Sequence, residues 1–291
     1  MAPSEARRGR LAIVAGGGFL PLYVAEAARA AGENPFILRL RNEADQQWQG
    51  FDSAVIGVGD MAGLSALLKA NAIDRVVLSG GVKRRPAFGE IRVNLKSLLK
   101  LPMAVKTLLA GGDDVVLKMV IGLIEAQGCH VIGAHEIAPD LLAETGPIGA
   151  VSPSADDWRD ISRAAEAAEA LGRLDVGQGA VSVGGRIVAL EGVEGTDAML
   201  ERVAHLRAEK RISPHREGVL VKLCKPQQDV RADLPSIGRS TIENARRAGL
   251  AGIAVEAGRA LVLEREALVK AAEEAGLFVI GIDRGLTGEI A

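Results

Sequence analysis

Short apolar runs alternate with amphipathic segments through the first half of the chain. The apolar runs predict strands at 11–15, 35–40, 53–56, 75–78 and 130–133. The amphipathic segments predict helices at 20–31, 61–70, 95–109 and 115–127. Strands that alternate with helices are typical of a parallel sheet covered on both faces. We therefore predict a Rossmann-like α/β domain over residues 10–138.

The pattern changes after this region. Proline and glycine interrupt residues 139–160, which show little periodicity, and this favours a linker or hinge. Further helices are predicted at 161–171, 196–209, 241–248 and 265–275, and further strands at 180–183, 186–190, 218–223, 252–255, 259–262 and 277–282. Gly184 and Gly185 predict a tight hairpin between two of these strands. The fold class we predict is α/β with two domains joined by a hinge, the second a mixed α/β domain over residues 161–291.

The composition favours a folded protein with a substantial core. Of the 291 residues, 48% are hydrophobic and 25% are charged, and the formal net charge is −2. The scarcity of aromatic residues and the lack of a basic stripe argue against a nucleic-acid partner. The two cysteines exclude a disulfide framework and fit a reducing compartment. No segment reaches the roughly 18 apolar residues of a membrane span, so we expect a cytoplasmic protein.

Two glycine turns follow predicted strands of the first domain. Backbone N–H groups at such a turn, next to a helix N-terminus, favour a phosphate. The first turn lacks the G-x-G-x-x-G spacing and the Lys-Ser/Thr pair of a P-loop, so a purely structural turn is equally compatible with it. The second turn is followed by cations that suit phosphate oxygens, with a solvated basic loop as the alternative. The candidate substrate-binding residues here are Gly17, Gly18, Gly80, Gly81, Lys83 and Arg84.

The chemically richest stretch runs from residue 222 to residue 241. It follows an apolar run and is stiffened by Pro226 and Pro235, unlike an ordinary surface loop. Asp229 and Asp233 lie among cations, a mixture that suits a metal ion and a phosphate together. The predicted substrate-binding residues of the stretch are Lys222, Lys225, Gln228 and Arg231.

Three other polar clusters carry weaker signals. Gln178 and Gly179 precede a strand, where Gln178 could bind a uracil edge or a ribose hydroxyl, or could belong to an ordinary turn. Carboxylates cluster before the helix predicted at 196–209 and could hold a hard cation, although one of them could simply complement the helix dipole. Asp113 and Asp114 are interpreted as dipole-stabilising residues of a helix start. The residues of the second cluster are Glu191, Glu194, Thr196 and Asp197.

Several of these stretches, in this order along the chain, resemble a known family. They are A-G-G-G-F-L-P at 15–21, S-G-G-V-K-R-R-P at 79–86, D-V-G-Q-G at 175–179, E-G-T-D-A-M-L at 194–200 and K-P-Q-Q-D-V-R-A-D-L-P-S-I-G at 225–238. They are similar to the UDP-2,3-diacylglucosamine pyrophosphatases of the LpxI type, which act in lipid A biosynthesis. The similarity spans nearly the whole chain, which makes it more specific than any single motif.

The resemblance implies a hydrolase that splits the pyrophosphate of UDP-2,3-diacylglucosamine into 2,3-diacylglucosamine 1-phosphate (lipid X) and UMP with Mg²⁺. It implies Asp233 as the leading catalytic carboxylate, which orients water or holds the metal, and Asp229 as its partner. Further metal ligands would come from Glu191, Glu194 and Asp197. Because the substrate is a lipid, peripheral contact with the cytoplasmic face of the inner membrane is also expected.

Two other functions remain compatible with parts of the pattern. A nicotinamide oxidoreductase would use the first domain, but Arg39 and Arg41 stand where a dinucleotide fold has its ribose-binding acid. A nucleotide-sugar or dinucleotide binding protein without hydrolase activity would explain the glycine turns and leave the stretch at 229–233 without a role. The four histidines show no zinc-site spacing. The sequence does not predict an oligomeric state.

Overall fold

The computed structural model describes residues 9–82 and 113–284. Contacts within the chain divide these residues into two units. The N-terminal unit contains the described residues up to Asp140 together with Asp229–Asp233. The C-terminal unit contains Leu141–Gln228 and the residues from Leu234 onward. The predicted helix at 95–109 and the candidates Lys83 and Arg84 lie outside the described residues.

The N-terminal unit is built on a parallel sheet. Its strands are β1 (Arg10–Ala15), β2 (Phe36–Leu40), β3 (Ser53–Ile56), β4 (Ile73–Ser79) and β5 (His130–Ile132). Its described helices are α1 (Leu20–Ala30), α2 (Met61–Ala70), α3 (Asp113–Glu125) and α4 (Ala134–Ile137). The strand order is β3-β2-β1-β4-β5, with every neighbouring pair parallel. This order is that of a Rossmann sheet, which confirms the predicted fold class.

Apolar side chains cover both faces of this sheet. Ala12 and Leu38 belong to a cluster that includes residues of α2 and α3, whereas Ile13 and Ile37 belong to a cluster with α1. Neighbouring residues of one strand therefore pack on opposite faces. Because both faces are buried, the strands appear in the sequence as nearly continuous apolar runs, which is why the pattern located them.

The C-terminal unit contains a mixed sheet. Its strands are β6 (Gly146–Pro147), β7 (Gly179–Val183), β8 (Arg186–Leu190), β9 (Gly218–Lys222), β10 (Ser236–Ile237), β11 (Gly252–Glu256), β12 (Leu261–Val262) and β13 (Phe278–Ile282). The helices are α5 (Ala155–Arg173), α6 (Gly195–Ala208), α7 (Arg239–Arg247) and α8 (Arg265–Ala275). The sheet order is β6-β13-β11-β9-β7-β8; β9, β11 and β13 are mutually parallel, and β7 and β8 form the predicted hairpin. The prediction of a mixed α/β domain is confirmed.

Three details differ from the sequence prediction. Helix α5 begins at Ala155, inside the segment predicted as a linker, because Ser154 and Asp157 form a reciprocal capping box. The strand predicted at 259–262 is reduced to β12, which pairs with β10 instead of joining the main sheet. The residues Asp229–Asp233, placed in the second domain by the sequence, belong to the N-terminal unit by their contacts.

Candidate functional site

Lys222 ends β9 at an edge of the C-terminal unit where three parallel strands finish. Ligands of α/β sheets bind beyond the carboxyl ends of parallel strands. Lys222 is only 5% exposed, and its Nζ donates to the carbonyl oxygen of Ser236 at 3.0 Å. It forms no ion pair with a carboxylate in the described part of the chain. A buried ammonium normally has a charged partner, and an anion bound here would compensate the charge of Lys222.

Other predicted substrate-binding residues lie beside Lys222. Gly179 of β7 is its register partner, and the carbonyl of Gln178 accepts from Leu223 N at 2.9 Å. The side-chain oxygen of Gln178 is buried and has no hydrogen-bond donor among the described residues. A buried acceptor without a donor is uncommon in a native fold and suits a ligand N–H or O–H group. The structure thus brings Gln178 and Lys222 to one end of the sheet.

Glu191 holds the neighbouring loop together. Its carboxylate accepts from Thr196 Oγ1 at 2.6 Å and from Gln178 N at 3.3 Å. A Cβ at Gly179 would lie 2.7 Å from Glu191 Oε2, so glycine is needed here for the carboxylate to approach. We name Gln178, Gly179, Glu191, Thr196 and Lys222 the β9-end cluster. Within this cluster, Glu191 binds other groups of the protein and Gly179 leaves room for its carboxylate.

The turn after β9 is held by its own side chains. Gln228, 8% exposed, accepts through Oε1 from Lys225 N at 3.0 Å. Lys225 Nζ pairs with Asp175 at 2.7 Å, and the two side chains are 11% and 23% exposed. Lys225 and Gln228 were predicted to bind substrate, whereas in this arrangement they fix the turn.

A buried carboxylate supports the start of the same turn. Glu256, 4% exposed, ends β11 and accepts from Cys224 N at 2.9 Å. Arg284 pairs with Glu256 at 2.9 Å and also donates to the carbonyl oxygen of Cys224. Both polar groups of the Cys224 backbone are therefore bound, two residues after Lys222.

Asp229 and Arg231 form a tight pair in the N-terminal unit. Arg231 Nε and Nη2 donate to the two carboxylate oxygens of Asp229 at 3.0 and 2.7 Å, and Arg231 N adds a third bond at 3.1 Å. These hydrogen bonds hold the pKa of Asp229 below its ordinary value, and the bond to Asp229 raises the pKa of Arg231. Asp233 is half-buried and closes the turn, its N–H donating to Asp229 O at 3.2 Å.

The two glycine turns bind each other. Gly17 N donates to Gly81 O at 2.8 Å, and Gly81 N donates to Gly17 O at 3.0 Å. A Cβ at Gly80, where φ is 86°, would lie 2.7 Å from Gly17 O. Gly18 N donates to both carboxylate oxygens of Asp45, at 3.0 and 3.2 Å. The amides of Gly17, Gly18 and Gly81 are thus hydrogen-bonded within the protein in this arrangement, and Gly80 is required by the close approach of the two turns.

The remaining predicted metal ligands have partners of their own. Glu194 pairs with Arg202 at 3.4 Å, and Asp197 accepts from Asn244 Nδ2 at 2.7 Å. Residues 9–82 and 113–284 contain no group of three or more His, Cys, Asp or Glu side chains arranged to hold a metal ion. Within the C-terminal unit, Glu191, Glu194 and Asp197 therefore do not form such a group.

Comparisons with known proteins place both units in one family. The model of the LpxI N-terminal domain matches residues 10–141, and that of the LpxI C-terminal domain matches residues 144–280. The chain belongs to the LpxI family.

One curated relative is the UDP-2,3-diacylglucosamine pyrophosphatase LpxI of Caulobacter vibrioides. It is 42% identical over 280 residues, which cover 94% of this chain and 98% of that protein. Among solved structures, the UDP-glucose 4-epimerase of Thermus thermophilus in complex with NAD covers 94% of this chain and 86% of its own, at 12% identity and a TM-score of 0.30. That likeness is too low to carry an argument. Each helix within the described ranges is too short or too polar to cross a membrane.

The Mg²⁺ implied by resemblance to the LpxI family fits only part of the predicted ligand set. Mg²⁺ needs only one or two carboxylates when substrate phosphates and water complete its shell. Both oxygens of Asp229 are bound to Arg231 in this arrangement, so Asp229 would have to exchange one of these bonds to hold a metal ion.

Sequence reasoning missed three carboxylates that organise these sites in the LpxI fold. Asp45 binds Gly18 N, Glu256 binds Cys224 N, and Asp114 binds Asp229 N at 3.3 Å. Asp114 was interpreted only as a dipole residue. The sequence carries no signal for these contacts, since the partners are 27, 32 and 115 residues apart.

Proposed function

We propose that this protein hydrolyses the pyrophosphate bond of UDP-2,3-diacylglucosamine, producing 2,3-diacylglucosamine 1-phosphate and UMP. The observation that carries the proposal is the 42% identity with a curated pyrophosphatase of that name over 94% of this chain and 98% of the relative. At this coverage both units of the fold are included, and so is the stretch at 225–238 that carries the proposed catalytic aspartate.

The buried cation Lys222 supports a phosphate-containing substrate. Among the described residues its ammonium has one hydrogen-bond partner, a carbonyl oxygen, and it lies where parallel strands end. A phosphate oxygen would complete its hydrogen bonds and compensate its charge in a site with little water. In the proposed reaction, Lys222 binds the pyrophosphate and stabilises the negative charge that develops on it.

The side-chain oxygen of Gln178, which has no donor among the described residues, supports a nucleoside at the same end of the sheet. The N3–H group of uracil and the hydroxyl groups of ribose are donors that this oxygen can accept. Gln178 is the residue before the register partner of Lys222, so a uridine bound there would have its phosphates near a cation.

Asp233 is the proposed catalytic residue. A carboxylate there would orient water for attack or hold Mg²⁺, which neutralises phosphate charge when bound. Pro235 limits the backbone conformation of Leu234, the residue after Asp233. The hydrogen bond from Asp233 N to Asp229 O restrains Asp233 itself. Asp229 is the partner that shapes this turn through Arg231.

The setting we propose is the cytoplasmic face of the inner membrane, because the substrate carries two acyl chains. Cys129 and Cys224 are both buried and are not joined by a disulfide bond, which fits a reducing compartment. Flotation with vesicles of anionic phospholipid tests the membrane contact, and protein that stays at the bottom of the gradient contradicts it.

The reaction itself is tested with purified protein, UDP-2,3-diacylglucosamine and Mg²⁺. We expect UMP and 2,3-diacylglucosamine 1-phosphate in equal amounts, with loss of turnover in EDTA and recovery when Mg²⁺ is restored. Substrate that binds without release of UMP would contradict the proposal and favour a nucleotide-sugar binding protein. Turnover that persists in EDTA would remove Mg²⁺ from the account while leaving the hydrolase.

A further inference from the structure

One stripe of α3 faces the segment Asp229–Asp233. Asp114, Lys118, Ile121 and Glu125 are spaced i, i+4, i+7 and i+11, so they lie on one side of the helix. The stripe covers about three turns, or about 16 Å, between Asp114 and Glu125. Ile121 belongs to a buried cluster against which Ala232 packs. The segment therefore has an apolar contact beside two carboxylates.

Asp114 binds the start of the segment. It is 5% exposed, and its Oδ1 accepts from Asp229 N at 3.3 Å while its Oδ2 accepts from Lys118 Nζ at 2.7 Å. A carboxylate that only complemented a helix dipole would have no need of burial or of a bond to distant backbone. The contact instead fixes the backbone at Asp229.

Glu125 binds the middle of the segment from the other end of the stripe. Its Oε1 accepts from Arg231 Nη1 at 2.8 Å. The same guanidinium grips both oxygens of Asp229, so Glu125, Arg231 and Asp229 form one chain of charge-assisted bonds. The next residue, Ala232, packs against the buried cluster that contains Ile121, and Asp233 follows it.

We propose that Asp114 and Glu125 are positioning residues: through Asp229 and Arg231 they fix the turn that presents the carboxylate of Asp233. The catalytic meaning of this proposal rests on the proposed function. The positioning itself does not rest on the proposed function, because it concerns only how firmly the backbone of Asp229–Asp233 is held. On this account Arg231 acts within the protein and is not a phosphate ligand.

Five variants test the proposal: Asp114→Ala, Asp114→Asn, Glu125→Ala, Glu125→Gln and, as a matched control, Glu33→Ala. The control removes a 2.7 Å ion pair with Arg75 in the same unit, a pair that includes no residue of the segment or of the stripe. Each variant is measured by steady-state kinetics, thermal melting and hydrogen exchange of the peptide that covers 229–233. The exchange measurement requires no substrate and reports local opening.

We expect Asp114→Ala and Glu125→Ala to lower kcat by roughly 10- to 100-fold with little change in KM, since small displacements of a reacting group have effects of this size. Both should speed exchange in the segment. Asp114→Asn keeps an acceptor for Asp229 N and should recover most of kcat, whereas Glu125→Gln should recover only part. Glu33→Ala should change neither kcat nor exchange in the segment.

Normal kcat and unchanged exchange in Glu125→Ala would overturn the proposal, and this variant is the safer test because the Glu125 side chain is 39% exposed. A fall in kcat that merely follows melting temperature, in Glu33→Ala as much as in the others, would also overturn it. If wild-type protein releases no UMP while Asp114→Ala still speeds exchange of the segment, the proposed function fails and the positioning stands.

Discussion

Lys222→Met should make the protein more stable and less active at the same time. Methionine has nearly the volume of the lysine stem and carries no charge. Lys222 is buried with one carbonyl partner and forms no ion pair within the described residues. An uncompensated buried charge costs several kcal/mol, so its removal should be favourable.

The expected size follows from two opposing terms. Removing the buried ammonium contributes several kcal/mol, and leaving the Ser236 carbonyl without its donor costs about 1–3 kcal/mol. The net gain should be about 1–3 kcal/mol, or an increase of a few °C in the apparent melting temperature. Loss of a charge-stabilising contact in the transition state should lower kcat/KM by roughly 10²- to 10³-fold.

Lys225→Met is the matched control because Lys225 is also largely buried but is paired with Asp175 at 2.7 Å. Removing the lysine leaves the carboxylate of Asp175 without its charged partner. This variant should therefore lose about 1–2 kcal/mol of stability, a figure reduced because both side chains are partly exposed. Thermal melts and UMP-release kinetics on both variants complete the assay. If Lys222→Met also lowered the melting temperature and left kcat/KM unchanged, the interpretation of Lys222 as an anion-binding cation would be wrong.

Two further predictions concern the segment Asp229–Asp233. Asp233→Ala should lower kcat by roughly 10²- to 10⁴-fold with substrate binding retained, measured by UMP release and calorimetry; near-normal turnover with a cost of only about 0.5–2 kcal/mol in stability would reduce Asp233 to a turn residue. Arg231→Gln should lose the stabilisation that Arg231 gives by lowering the pKa of Asp229. This stabilisation is fully present above the unfolded-state pKa of about 3.9, and it disappears as pH falls through the lower folded-state pKa. Denaturant unfolding of the wild type and of Arg231→Gln across the acid range should therefore show a difference in unfolding free energy that shrinks toward low pH. A difference independent of pH would contradict the assigned cause.

The sequence predicted the architecture well because the fold is encoded in local periodicity. Strands such as β1 and β4 are buried on both faces and appear as apolar runs, and Gly184 and Gly185 directly mark the hairpin between β7 and β8. The start of α5 was missed although Ser154 and Asp157 carry the capping-box signature, since the prolines nearby suggested a linker.

The candidate site was less predictable because the partners of polar groups are distant in the sequence. Residue type alone does not distinguish Lys222, which has no carboxylate partner in the described structure, from Lys225, which has Asp175. The same limit applies to Gly18, whose amide binds the carboxylate of Asp45 where a phosphate was expected. The residue type at a position defines which interactions are possible, and only the fold determines which hydrogen-bond or ion-pair partner is used.

Hydrolysis in ¹⁸O-labelled water, with mass spectrometry of both products, tests the central claim most directly. For attack on the phosphorus attached to the sugar, the account predicts label in 2,3-diacylglucosamine 1-phosphate and none in UMP, with both products released roughly 10²- to 10⁴-fold more slowly by the Asp233→Ala variant. Label in UMP would refute this point of attack. Wild-type protein that releases neither product from UDP-2,3-diacylglucosamine would contradict the proposed function itself.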